Sequence, residues 1–234
     1  MRMPARVSLR LSDRSTRQMR LSELSSELVL AAVPWRTIRS HRGQRHLPGL
    51  YWSSTTGGHV VYESRLELAR LLLADADPSV VGIAAQPFLV WDEDRRHVPD
   101  FLLARVDGSV AVVNVKPADR LKRPPVAEAL SWAGEVFAGR GWEHEVWSAA
   151  DPMMLANVRF LAGYRRSALL NPDSIAVAVS LTRAGQTIAD AEATLRAGGM
   201  REPRPVVLHL VWSGVLRVDL TRPVTSETEL AVSA

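Results

Sequence analysis

The chain has 234 residues, enough for one large domain or two small ones, and its 47% hydrophobic and 23% charged content is that of a globular protein. Nothing approaches the roughly 18 apolar residues that span a bilayer, and Met1-Arg2-Met3-Pro4-Ala5-Arg6 lacks an apolar signal core, so a cytoplasmic protein without a membrane partner is expected. There is no cysteine, which excludes a disulfide framework and a thiolate zinc site, and six scattered histidines argue against a zinc enzyme.

The net charge of +4 is unevenly placed. Residues 1–46 carry ten arginines against three acids, a net of +7, which leaves −3 for the rest. A basic segment on a near-neutral body points to a polyanionic partner. Residues 1–20 are rich in Arg and Ser with little periodicity and read as a flexible basic arm, the first part of an arm region over 1–30. Ser22 to Ala32 reads as a short helix and Pro34 to Arg39 as extended. His41 to Pro48 is a basic loop, either simply solvated or in contact with phosphates, which arginine forks bind bidentately. Gly49–Ser53 and His59–Tyr62 read as strands around Thr55-Thr56-Gly57-Gly58.

From Glu63 to about Asp75 the spacing is helical, with Leu66, Ala69, Leu72 and Leu73 as an apolar stripe. Glu63 and Glu67 are four apart and share a face. Val80 to Val90 is extended and apolar, broken at Gln86-Pro87. Two apolar runs, from Phe101 and from Val110, then flank Asp107-Gly108, a strong hairpin signal. Asp100 precedes the first run; Asn114 and Lys116 end the second and lie on one face of a strand. A hairpin closed at Asp107-Gly108 brings Asp100, Asn114 and Lys116 together at its open end. On spacing alone, a solvated edge or an ordinary ion pair is the simplest account. Composition favours a site: Lys116 and Lys122 are the only lysines among 29 basic residues. A compact ammonium where Arg is the default suits a point charge beside a phosphate or a water. A glutamate leaning from the preceding helix over these strand ends would add a carboxylate to a divalent-metal site, as Mg²⁺ prefers.

Pro117 to Pro125 reads as a loop, Val126 to Ala138 as a helix and Glu143 to Ser148 as a strand. Asp151-Pro152 is a helix start, with the helix running to Leu170. The tryptophans Trp35, Trp91, Trp132, Trp142 and Trp147 read as core or rim packing. After Asn171-Pro172 come three short helices, Asp173 to Arg183, Ala189 to Ala197 and Pro205 to Ser213, then a strand over Val215 to Leu220. The expected fold class is α/β: a mixed sheet flanked by helices, followed by a small, mostly helical C-terminal domain. No catalytic cluster falls in that last domain, which reads as a docking module rather than a second DNA reader.

The order Glu, Pro-Asp, x-Val-Lys on helix, strand and strand resembles the PD-(D/E)xK nuclease superfamily. A finer set, Pro34-Trp35-Arg36-Thr37, Ser64-Arg65-Leu66-Glu67-Leu68-Ala69, Val80-Val81-Gly82-Ile83 with Gln86-Pro87-Phe88, Asp100-Phe101-Leu102 and Asn114-Val115-Lys116-Pro117, is similar to the TnsA family, the endonuclease subunits of heteromeric transposases. The likeness covers residues 30–150 and extends loosely to the C-terminus, where Val211-Trp212-Ser213-Gly214-Val215-Leu216 is part of it. Where the wider superfamily has Glu or Asp two before the lysine, this chain has Asn114; an amide there is a feature of the narrower family.

The resemblance implies a restriction-endonuclease-like domain over residues 31–150 and a winged-helix-like docking domain over 151–234. It implies a Mg²⁺-dependent DNA endonuclease, with Mn²⁺ as a substitute, that cuts the 5′ side of transposon ends. Glu67, Asp100 and Lys116 would be catalytic. Glu67, Asp100, the Asn114 amide oxygen and the Val115 carbonyl would hold the metal, with Glu63 as the other candidate on the helix. Arg36, Arg39, Arg42, Arg45, Lys122 and Arg123 would meet DNA. The partners would be double-stranded DNA and an integrase-type transposase; whether an ATPase regulator takes part is open. Two other readings stay alongside: a catalytically silent DNA-binding or assembly subunit, and a free-standing restriction or repair nuclease.

Overall fold

The computed structural model describes residues 5–36 and 47–232. The chain divides into two compact units, one of residues 1–75 and 79–149, the other of residues 76–78 and 150–234. The fold is mixed α/β.

Residues 6–20 are not the flexible arm that their arginines suggest. Strands β1 (Arg6–Arg10) and β2 (Thr16–Arg20) form an antiparallel hairpin with Val7 opposite Met19 and Leu9 opposite Arg17. The physical reason is period-2 alternation: Val7 and Leu9 are fully buried and Met19 is nearly so, while Arg6, Arg10 and Arg20 lie on the opposite face of the hairpin. Residues 21–30 of the expected arm region are structured too, and residues 1–4 lie outside the described residues. A 3₁₀ turn at Leu21–Glu23 and helix α1 (Ser26–Leu30) put Leu21, Leu24 and Val29 into the same core.

Strands β3 (Gly49–Ser53) and β4 (Gly58–Tyr62) pair as a hairpin. Helix α2 (Arg65–Asp75) follows. At its last residue, Asp75 accepts hydrogen bonds from Tyr51 Oη, Ser53 Oγ, Ser54 N and Oγ, and Thr55 N, which fasten the helix end to the β3–β4 hairpin. Burial alone would raise this carboxyl, but the donors outweigh it and hold Asp75 below the usual carboxylate value.

Strand β5 (Val80–Ala85) begins the central sheet, and β6 (Leu89–Trp91) and β7 (Arg96–His97) join the N-terminal hairpin instead. The order in that second sheet is β2-β1-β6-β7. Strands β8 (Phe101–Arg105) and β9 (Val110–Val115) pair through the expected turn, where Gly108 takes φ +83° and Asp107 Oδ1 accepts from Ser109 N. The segment expected as a loop contains a short helix α3 (Ala118–Leu121) and the start of helix α4 (Pro124–Ala138), whose two prolines sit where N–H groups have no helical partner. Strand β10 (Glu143–Trp147) then pairs parallel to β9, so the central sheet runs β10-β9-β8-β5 and is mixed.

Both faces of that sheet are covered. On one side Leu102, Val110 and Val112 meet Trp132, Ala133 and Phe137 of α4 and Val7, Leu9 and Val90 of the second sheet in one core. On the other, α2 packs on β5 and β9. Trp132 and Trp142 are buried, and Trp35, Trp91 and Trp147 are half-buried.

The second unit contains helices α5 (Pro152–Leu161), α6 (Pro172–Leu181), α7 (Ile188–Ala197) and α8 (Pro203–Trp212). The helix expected to reach Leu170 stops at Leu161 and gives way to two 3₁₀ turns. The strand expected over Val215 to Leu220 shrinks to β11 (Leu216–Arg217), paired with β12 (Ala231–Val232). Helix α8 is buried at Pro203 and from Val206 to Trp212. Among the described residues, no helix is long and apolar enough to cross a membrane.

Candidate active site

The site is built at the open end of the β8–β9 hairpin. Asp100 N donates to Val113 O (3.0 Å), which carries the pairing one residue past Phe101. Asp100 Oδ2 accepts from Val115 N at 2.7 Å and from Lys116 Nζ at 2.9 Å. Lys116 Nζ also donates to Val115 O at 3.1 Å, and Lys116 N donates to Trp147 O on β10. The ammonium is thus fixed between two oxygens, while its side chain keeps 29% of its exposure, enough to meet a ligand. Both bonds to Asp100 use Oδ2, which leaves Oδ1 as a donor atom for a cation.

Glu67 comes from the first turn of α2. Ser64 Oγ accepts from Glu67 N (3.1 Å), and the Glu67 carboxylate accepts from Glu63 N (2.7 Å) and Ser64 Oγ (3.0 Å). This reciprocal cap starts the helix and fixes the glutamate rotamer. Burial raises the Glu67 carboxyl above the usual carboxylate value; the Glu63 N–H and Ser64 hydroxyl oppose that, and the charges of Asp100 and Glu63 add to it. A cation between such carboxylates would relieve the repulsion.

Asn114 is brought to this region but does not join the pair. It is fully buried, and its Oδ1 lies 3.0 Å from both His97 Nε2 and His144 Nε2. Its Nδ2 is buried without a hydrogen-bond partner. With both rings as Nε2–H tautomers, the imidazoles take both lone pairs of the amide oxygen and leave none for a cation, so the expected role as a metal ligand does not fit this arrangement. Burial holds both imidazoles below their ordinary value; at His97 the Asn114 bond opposes this and the positive charge of Lys116 adds to it. Neutral rings at physiological pH suit this arrangement. Helix α4 makes room for His144 with Gly134, where a Cβ would stand 3.0 Å from Nδ1.

Gln86 ties a second segment to the site. Its N–H donates to Asp100 O (2.8 Å), its carbonyl accepts from Trp35 N (2.9 Å), and its Oε1 accepts from Arg36 N (3.2 Å). It does so at φ +46°, a left-handed conformation unusual for a non-glycine residue, costing about 1–3 kcal/mol. The exposed Arg36 side chain lies 3.9 Å from Glu63. Lys122 and Arg123 are exposed between α3 and α4. Arg39, Arg42 and Arg45 lie outside the described residues.

Among the described residues, no group of three or more His, Asp or Glu side chains is placed to hold a metal ion by itself. Comparison with models of known protein families gives no match, and neither does comparison with curated proteins. The site's own chemistry therefore carries the functional reading. Sequence reasoning placed Asp100 beside Lys116, as the 2.9 Å bond between them has it, and missed His97, His144 and the role of Gln86. His144 alternates with Glu143 and Glu145 on β10 and looks like a surface residue until the parallel register with β9 is known.

Proposed function

We propose that this chain is a TnsA-like, metal-dependent DNA endonuclease, a transposase subunit that hydrolyses a phosphodiester on the 5′ side of transposon ends. The observation that carries the reading is the Asp100–Lys116 pair at the end of two central strands, with the Glu67 carboxylate reaching Asp100 electrostatically from α2. A mixed sheet covered by helices on both faces is consistent with a restriction-endonuclease-like core.

Asp100 through Oδ1, Glu67, and the Val115 carbonyl would hold the ion; all are hard oxygens, as Mg²⁺ or Mn²⁺ requires. Two carboxylates with one carbonyl make a lean set, which fits a cation that is completed by substrate phosphate. When bound, the ion would polarise the scissile phosphate and lower the pKa of a bound water. The protein's own contribution is position and charge. Lys116 Nζ, held by Asp100 and Val115 O, is fixed to stabilise charge growing on a phosphate oxygen. Water adds to phosphorus, the bond to the leaving oxygen breaks, and one proton of that water passes to solvent or to the leaving oxygen. Arg36, anchored through Gln86, sits at the rim to hold a neighbouring phosphate.

In the second unit, the buried α8 offers DNA no polar helix face, which favours docking to a protein partner over a second DNA contact. The test is nicking of a transposon-end duplex with Mg²⁺, with and without the partner transposase. Cleavage that needs Mg²⁺ and stops on chelation is expected. A chain that binds duplex but never cuts it, with the partner and metal both present, would instead be a silent assembly subunit.

A further inference from the structure

The outward face of the β2-β1-β6-β7 sheet carries cations in a row. Arg20 stands opposite Arg6, Arg6 opposite Trp91, and Trp91 opposite Arg96, so one side chain from each of the four strands lies on a single line. Directly opposed residues share a face of a sheet. Their neighbours confirm which face: Val7, Met19 and Val90 point into the core, and His97 reaches inward to Asn114. Arg20 and Arg96 are exposed, and Arg6 is half-buried.

Two arginines directly opposed across a strand pair repel. Among the described residues, none of Arg6, Arg20 and Arg96 makes an ion pair with an acid. The guanidinium of Arg6 instead lies 5.7 Å from the Trp91 ring centre, and its Nε is buried without an acceptor. Trp91 Nε1 donates to Ser8 Oγ at 3.1 Å, which fixes the ring as a platform for that cation. The nearby acids are at the strand ends: Glu23 caps Arg20 N, and Asp92 is paired with Arg95 in the β6–β7 turn beside Glu93 and Asp94. The paired positions on this face are Arg, Trp, Leu, Ser, Gln and Thr with no carboxylate among them, Ser8 being buried beneath Trp91 Nε1.

A fixed row of unneutralised cations is complementary to a regular line of anions. Three inter-strand gaps of about 4.8 Å make the row about 14 Å long. That is about four phosphates of one DNA strand at 3.4 Å each along the axis. The row also leads to the site: Arg96 is four residues ahead of Asp100, and its neighbour His97 holds Asn114.

We propose that this sheet face binds the phosphate backbone of duplex DNA, with Arg20, Arg6 and Arg96 contacting phosphates and Trp91 holding Arg6. The choice of DNA among polyanions rests on the endonuclease reading. The face adds no base readout, because guanidinium–phosphate contacts are independent of sequence.

The test is binding of a random-sequence duplex to the full chain in EDTA, so that no cleavage occurs, measured by anisotropy across a salt series. Arg20→Gln with Arg96→Gln removes two exposed contacts without touching the core. The log–log salt slope should fall by about 1.8, at about 0.9 per contact, with affinity about tenfold or more weaker at 0.1 M salt. Arg159→Gln with Arg201→Gln, both exposed in the second unit, removes the same charge and should leave the slope unchanged. Equal slopes for wild type and the Arg20/Arg96 variant overturn the proposal, as does a preference for duplex RNA of the same sequence. A chain that binds DNA through this row yet never nicks it leaves the surface standing and removes the nuclease reading.

Discussion

Glu67 is both a helix cap and a proposed metal donor, and Glu67→Gln separates the two roles. Gln keeps one acceptor oxygen for Glu63 N, and its NH2, in place of the other carboxylate oxygen, donates to Ser64 Oγ, so the cap survives with one bond reversed. Removal of those bonds altogether, in Glu67→Ala, should cost about 1 kcal/mol. What Gln removes is the charge. Burial and the neighbouring carboxylates hold the folded-state pKa of Glu67 above its ordinary value of 4.5. The folded state therefore binds the proton more tightly than the unfolded chain. Stability from this group is fully present below 4.5 and is lost as pH rises through the folded-state value. Glu67→Gln should then match wild type near pH 4 and exceed it at pH 7 to 8, where wild type carries the buried charge. Urea unfolding of both proteins at the two pH values reads this difference. Saturating Mg²⁺ should stabilise wild type and leave the variant unchanged. In cleavage, loss of even ~3 kcal/mol of charge stabilisation is about 10²-fold in rate. A variant that is more stable yet at least that much slower fits the account. A variant that cuts at the wild-type rate, or is less stable than wild type at every pH, refutes it.

Asn114→Ala should strip both imidazoles of their shared partner and destabilise the fold by about 1–3 kcal/mol in chemical unfolding, without any change in Mn²⁺ affinity by calorimetry. A tenfold loss of Mn²⁺ affinity there would return Asn114 to the donor set. Asp75→Asn should loosen the β3–β4 hairpin from α2 and lower Tm; because the folded Asp75 pKa lies below 3.8, its stabilisation is present above that value and lost as pH falls through the folded-state one, so the gap from wild type should narrow in acid. Gly134→Ala should crowd His144 Nδ1 and shift its imidazole resonances in NMR, while spectra that leave His144 unmoved would remove the packing argument.

The hairpin at the centre of the site was legible in the sequence because its signals are local: an Asp-Gly turn between apolar runs fixes which residues meet at the open end. Lys116 and Asp100 follow from that turn alone. Asn114 shows the limit. Period-2 spacing gives the face of a strand but not what packs on that face, and the partners of Asn114 come from β7 and β10, 17 and 30 residues away. The N-terminal hairpin was hidden for a related reason. In Arg6-Val7-Ser8-Leu9-Arg10 only two apolar residues alternate with polar ones, and the strand pairs with β6, 83 residues on in the Trp91–Ser8 bond. The Ser64 context that singled out Glu67 in the sequence is, in the structure, the cap that starts α2.

The most direct test of the central claim is single-turnover cleavage of an end-labelled transposon-end duplex by wild type and Lys116→Ala, with Mg²⁺ and the partner transposase present. Lys116 is partly exposed at a strand end, where its ammonium bonds Asp100 and Val115 O, so the alanine variant should stay within about 1 kcal/mol of wild-type stability. The cleavage rate should fall by about 10²-fold or more. A folded Lys116→Ala protein that cuts at the wild-type rate would contradict the assignment of this site.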